Sequence, residues 1–242
     1  MASIRDLAVI SGMAYHPNET KFDDWIRIGW TGDTTGRGFY AVIFCKTQSK
    51  EVVLGIRGTD FDIGDKSDFV SDVQIAFSRS PGQLQPAELA YNLAKSLAKK
   101  EVGHSYTLYL TGHSLGGGLA SLLSAKKGGL PTVTFNSPGM KSTFIGGLWI
   151  PVVSLWNAYN LSYVKKTRML HIRATGDVVS KLTGPHIGTE ENVYVDKWGN
   201  NKILGASRHL EQHSIKNMIE AMKKIPWTLE DLGWDTGYQN QN

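Results

Sequence analysis

The chain has 242 residues, 41% hydrophobic and 20% charged, with a formal net charge of +4 and one cysteine. That length and balance fit a single globular α/β domain with a large buried core, and Cys45 alone excludes an internal disulfide framework or a cysteine-built zinc site. The basic pairs Lys99-Lys100, Lys126-Lys127, Lys165-Lys166 and Lys223-Lys224 lie near element ends, without interleaved aromatics, so a nucleic-acid partner is not expected.

Ile4, Leu7, Ala8, Ser11 and Ala14 share one helical face and predict a packed first helix. The same stretch lacks the apolar core of a secretory signal, and no run is long enough to span a bilayer. The expectation is a cytoplasmic protein, with signal-less export or release by lysis as the alternative. Phe39 to Lys46 and Glu51 to Arg57 read as a β-hairpin, with Cys45 buried in its first strand. Helices follow over about Ser67–Phe77 and Pro86–Lys100, the second with Leu89, Leu93 and Leu97 on one face. Further strands are predicted at Thr132–Phe135 and Met169–Arg173. A late pair is predicted at Asn192–Val195 and Lys202–Leu204, and a last helix over about Ser214–Lys224. This alternation predicts one α/β domain over residues 1–242, with a mainly parallel sheet covered by helices on both faces.

Between these elements lies Leu108-Tyr-Leu-Thr-Gly-His-Ser-Leu-Gly-Gly-Gly-Leu-Ala120: an apolar strand, then Gly112-x-Ser114-x-Gly116, then a small-residue helix. This is the context of a nucleophile elbow, which holds a serine in strained backbone geometry with its hydroxyl above the sheet edge. A Cβ at Gly112 or Gly116 would collide with the neighbouring strand or helix. The Leu115 N–H, at the mouth of the helix, is aimed at charge developing beside Ser114.

A serine nucleophile needs a base and a group to orient it. Asp177, in Gly176-Asp177 after an apolar strand, is the acid candidate; the competing reading is a turn aspartate capping its own backbone. Three histidines follow it. His213, opening the last helix, is the favoured base, and His209 and His186 stay open as competitors. Arg57-Gly58-Thr59 ends an earlier strand and offers the second oxyanion donor at Thr59.

Gly112-His-Ser-Leu-Gly-Gly117, Arg57-Gly-Thr59 followed by Asp68-Phe-Val-Ser-Asp72, and Phe135-Asn-Ser-Pro138 together resemble the class 3 lipases over roughly residues 35 to 222. Asp72-Val-Gln-Ile-Ala76, then Pro81-x-Gln83 and Ala87, looks closer to a bacterial and phage-type branch that includes phospholipases A. The resemblance implies an α/β-hydrolase fold and hydrolysis of carboxylic esters of lipids at a membrane or lipid–water interface, without metal or cofactor. It also implies Ser114, Asp177 and His213 as the triad and Thr59 with Leu115 as the oxyanion hole. The His-x-Gly-Phe segment of many secreted members is absent, replaced by Ser80-Pro-Gly-Gln-Leu-Gln-Pro86, so secreted fungal enzymes are a poor guide to substrate.

Specificity is expected in two segments. Phe61-Asp-Ile-Gly-Asp65 stands where related lipases carry a lid. Residues 142–166, rich in aromatics, are either a helix covering the sheet or an acyl-binding cap. Phe61, Ile63, His113, Trp149 and Trp156 are accordingly the candidate substrate-contacting residues. A non-catalytic binding protein on a hydrolase scaffold is the rival reading; a scaffold has no need for a strained serine.

Overall fold

The computed structural model describes residues 1–35, 38–58, 83–140, 143–145, 148–150, 168–177, 179–181, 186–193, 213–225 and 228–230. Helix α1 (Ile4–Met13) starts at a capping box in which Ser3 Oγ accepts from the Asp6 N–H and the Asp6 carboxylate accepts from the Ser3 N–H. Strands β1 (Lys21–Phe22), β2 (Trp25–Gly32), β3 (Tyr40–Lys46) and β4 (Glu51–Ile56) follow. Next come α2 (Leu84–Val102), β5 (Thr107–His113), α3 (Leu115–Lys126) and β6 (Thr132–Phe135). The remainder is β7 (Thr143–Ile145), β8 (Leu148–Ile150), β9 (Met169–Ala174), β10 (Thr189–Val193) and α4 (Ile215–Met222).

The main sheet runs β1-β2-β3-β4-β5-β6-β9-β10. Pairings from β1 through β4 are antiparallel, and every pairing from β4 to β10 is parallel. Helices cover both faces. On one, Leu7 and Ile10 of α1 and Met218 and Met222 of α4 pack over Val42, Phe44, Val133, Phe135 and Ile172. On the other, α2 and α3 pack over Ala41, Ile43, Cys45, Leu54, Leu108 and Leu110. Burial on both faces is why β3 and β4 are apolar almost without alternation.

The structure departs from the sequence expectations at four places. Helix α2 turns a small-residue face inward, Ala87, Ala90, Ala94 and Ala98 being fully buried, while Leu89 is 61% exposed. Small side chains let the helix approach closely, and Leu97 then fills the space over Gly29, where a Cβ would lie 2.4 Å from its Cδ1. Strand β2, which carries no clean alternation, was not foreseen. The late strand β10 begins at Thr189 and pairs in parallel with β9; Lys202–Leu204 and the helix expected over Ser67–Phe77 lie outside the described residues. In the aromatic-rich segment, β7 and β8 form a separate antiparallel hairpin with Phe144 opposite Trp149, where a covering helix was one expectation. Residues 151–167 lie outside the described residues.

Candidate active site

The turn from β5 to α3 places Ser114 at φ 55°, ψ −133°. For a residue with a Cβ this is a costly conformation, sustained only where the surroundings impose it. The surroundings here are backbone. A Cβ on Gly112 would come within 2.5 Å of the Gly116 carbonyl carbon and oxygen, and one on Gly116 within 2.2 Å of the Ile56 carbonyl oxygen at the end of β4. Gly117 and Gly118 N–H groups close the turn on the Ser114 carbonyl at 3.0 and 3.2 Å. Leu115 is the first residue of α3, so its N–H is one of the four donors that a helix start leaves without an intrahelical acceptor. The Ser114 hydroxyl is buried and has no hydrogen-bond partner among the described residues.

Asp177 follows β9 in a tight turn, its N–H donating to the Ala174 carbonyl at 3.0 Å. That turn is fixed from the next strand: Asn136, at φ 46° just after β6, accepts the Ala174 N–H on its Oδ1 at 2.7 Å. Asn136 belongs to the Asn-Ser-Pro motif, but its work on the acid turn could not be read from sequence spacing. The Asp177 carboxylate is completely buried; one oxygen lies 2.8 Å from His213 Nδ1 and the other accepts the Ser180 N–H at 2.9 Å. Burial pushes its pKa up, but the His213 and Ser180 hydrogen bonds outweigh that and hold it below the ordinary carboxylate value. A carboxylate oxygen only accepts, so His213 Nδ1 carries the hydrogen, and Nε2 of the neutral ring is left as the basic nitrogen.

His113, the last residue of β5, directly precedes Ser114 and packs against His213. Its ring centroid is 4.7 Å from that of His213, and its Nε2 lies 2.5 Å from the His213 carbonyl oxygen. Its Nδ1 is 3.0 Å from the hydroxyl of Tyr15, just past α1, and that same hydroxyl accepts the Gly58 N–H at 3.1 Å. Gly58 itself presses against the elbow, since a Cβ there would lie 2.6 Å from the His113 carbonyl oxygen. Burial and the neighbouring His213 lower the His113 pKa to about 3, so the ring is neutral. Both nitrogens of His113, a substrate-contacting candidate in the sequence, lie on protein partners. Tyr15 carried no motif and was missed. Arg57, buried before Gly58, donates to the carbonyls of Asp33 and Gly38 and lies over the Tyr40 ring, which anchors the start of the loop.

Thr59, Phe61, Ile63, Trp156 and His209 lie outside the described residues, and for Trp149 only the backbone, in β8, is described. His186 stacks beside His171 at 4.5 Å, in a buried group where His171 Nδ1 meets Thr134 Oγ1 at 2.7 Å. The histidine whose ring meets the Asp177 carboxylate is His213.

The fold is shared with solved lipases. The nonglycosylated Lip2 lipase of Yarrowia lipolytica superposes at a TM-score of 0.52 with 16% identity, covering 78% of this chain and 77% of that one. The Rhizomucor miehei lipase in its propeptide complex gives 0.52 at 18% identity, covering 77% and 66%. These likenesses identify the α/β-hydrolase fold. In sequence, the chain is 27% identical over 202 residues to the extracellular phospholipase A1 of Serratia liquefaciens, covering 79% of this chain and 58% of that protein's length. The profile of a phospholipase domain matches residues 20–187, a span that includes Ser114 and Asp177 and stops before His213. The match takes in well over half of the residues, and the chain belongs to the family of Tle-like phospholipase domains.

Proposed function

We propose that this chain hydrolyses acyl esters of glycerophospholipids through an acyl-enzyme. Ser114 attacks the ester carbonyl as His213 Nε2 takes its proton. Asp177 holds the imidazole tautomer and stabilises the imidazolium that forms. The Leu115 N–H, with Thr59, donates to the tetrahedral oxyanion, each donor worth on the order of 3 kcal/mol of barrier. Proton return from His213 to the leaving alcohol completes acylation, and water activated by the same nitrogen releases the fatty acid.

The observation that carries this reading is the strained Ser114 turn beside an Asp177–His213 pair already bonded at 2.8 Å. A binding scaffold gains nothing from either. Phospholipid is favoured over triglyceride because the matching family and the Serratia relative are both phospholipases by name.

The test is fatty-acid release from phosphatidylcholine, phosphatidylglycerol and triglyceride by wild type and Ser114→Ala, with positional analysis of the acid. Phospholipid turnover should exceed that of triglyceride and fall by about 10³-fold or more in Ser114→Ala. Equal rates in the two proteins would end the catalytic reading, and faster triglyceride turnover would make the enzyme a neutral lipase.

A further inference from the structure

The hydrogen-bond directions around His113 are fixed by chemistry. The His213 carbonyl can only accept, so His113 Nε2 must carry a hydrogen and donate to it. In a neutral imidazole the other nitrogen is then an acceptor, so the Tyr15 hydroxyl donates to Nδ1. The Tyr15 oxygen in turn receives the Gly58 N–H. The result is one directed chain: Gly58 N–H to Tyr15 O–H, to the His113 ring, to the His213 carbonyl. It joins the loop before Thr59, the residue just past α1, the residue before Ser114 and the residue that opens onto α4. Directly bonded members of this chain are up to 100 residues apart in sequence.

We propose that Tyr15 and His113 are positioning residues that hold the base and the Gly58 backbone in one frame with Ser114. Neither contacts substrate. His113 is rigidly set by the elbow, and it grips the backbone of His213 while Asp177 grips its ring. That leaves the His213 imidazole held from two sides. Tyr15 ties the Gly58 backbone to the same ring, so the chain just past β4 at Gly58 and the base cannot shift independently. The groups facing His113 are Tyr15, His213 and, beyond His213, Asp177, and none requires a charged His113 ring.

The inference rests on His213 being the base, and the test separates the two. Three variants divide the chain. Tyr15→Phe keeps the ring and removes the hydroxyl. His113→Gln reaches with an amide towards the Nε2 position and keeps a donor for the His213 carbonyl. His113→Asn reaches only the Nδ1 position and loses that donor. Each is measured for thermal midpoint, kcat, KM and pH–rate profile on phosphatidylglycerol micelles, and the His213 ring is titrated by NMR.

Expected are a kcat about 10-fold lower in Tyr15→Phe and about 100-fold lower in His113→Asn, with KM within about twofold, since small misplacements act on the transition state. His113→Gln should recover about tenfold over His113→Asn, and the His213 titration should move in His113→Asn and return in His113→Gln. Folded variants with wild-type kcat and an unmoved His213 titration would overturn the proposal. If His113→Asn does not fold, Tyr15→Phe and His113→Gln decide it. Should wild type show no Ser114-dependent turnover, the catalytic reading fails, while the NMR titration still reports whether His113 governs the His213 ring.

Discussion

At the scale of single residues, the proposed mechanism sets a histidine kept neutral beside a histidine that must become charged. There His213 takes the Ser114 proton, and a charge on His113, with ring centroids 4.7 Å apart, would oppose it. Burial prevents this by holding the His113 pKa near 3 against an ordinary 6.5. The same arrangement has a cost in acid. Below pH 6.5 the unfolded chain binds a proton at His113 that the folded chain refuses, so this stability is complete above that pH and is lost as pH falls towards about 3. Between pH 7 and pH 5 the loss from this one ring is on the order of 2 kcal/mol. Asp177, also lowered, acts only nearer its ordinary value of 3.8 and does not enter that interval. Urea denaturation at the two pH values should therefore show a smaller drop for His113→Gln than for wild type, and equal drops would place the acid sensitivity elsewhere.

At the scale of elements, the elbow is a strand, a turn and a helix whose backbones touch where side chains would otherwise be. Two substitutions within it should have opposite signs. Ser114→Gly accepts φ 55° without strain and should raise stability by about 1 kcal/mol while abolishing hydrolysis. Gly116→Ala drives a Cβ into the Ile56 carbonyl and should cost about 3 kcal/mol or more, because backbone cannot move aside as a side chain can. Chemical denaturation of the two variants checks both signs. The elbow was legible in sequence because its strand, Gly-x-Ser-x-Gly turn and helix are contiguous, although the surface that Gly116 meets is Ile56, 60 residues away. Legible too were β3 to β6 and β9, whose apolar runs and breakers are local. The inward face of α2 was not, because Leu89 and Ala87 are told apart only by how closely the neighbouring layer approaches. Strand β2 was missed because Gly29 and Thr31 blur its period, and its place is given by pairing with β3. Tyr15 was invisible for a similar reason: its partner lies 98 residues away, and no spacing rule links them.

For the whole molecule, the sheet divides the labour. The antiparallel half brings the start of the chain across the face where α1 meets α4, and the parallel half delivers Ser114, Asn136 and Asp177 at successive strand ends. Tyr15 just past α1 and His213 before α4 thus meet at His113, the residue before Ser114, from the same face. Among the described residues no helix is long and apolar enough to cross a membrane. The Ser114 hydroxyl is buried. A group so covered reacts only in the fraction of molecules in which its surroundings have parted, and the observed rate is the intrinsic rate scaled by that fraction. A lipid surface that binds the parted form more tightly raises the fraction before any ester is cleaved. Labelling of Ser114 by a water-soluble fluorophosphonate should therefore speed up several-fold when non-hydrolysable ether-lipid vesicles are added, and an unchanged rate would show that vesicles do not prefer that form. Faster labelling would give the lipid surface two roles towards one serine, as the store of substrate and as the effector that shifts the enzyme's population towards the reactive state.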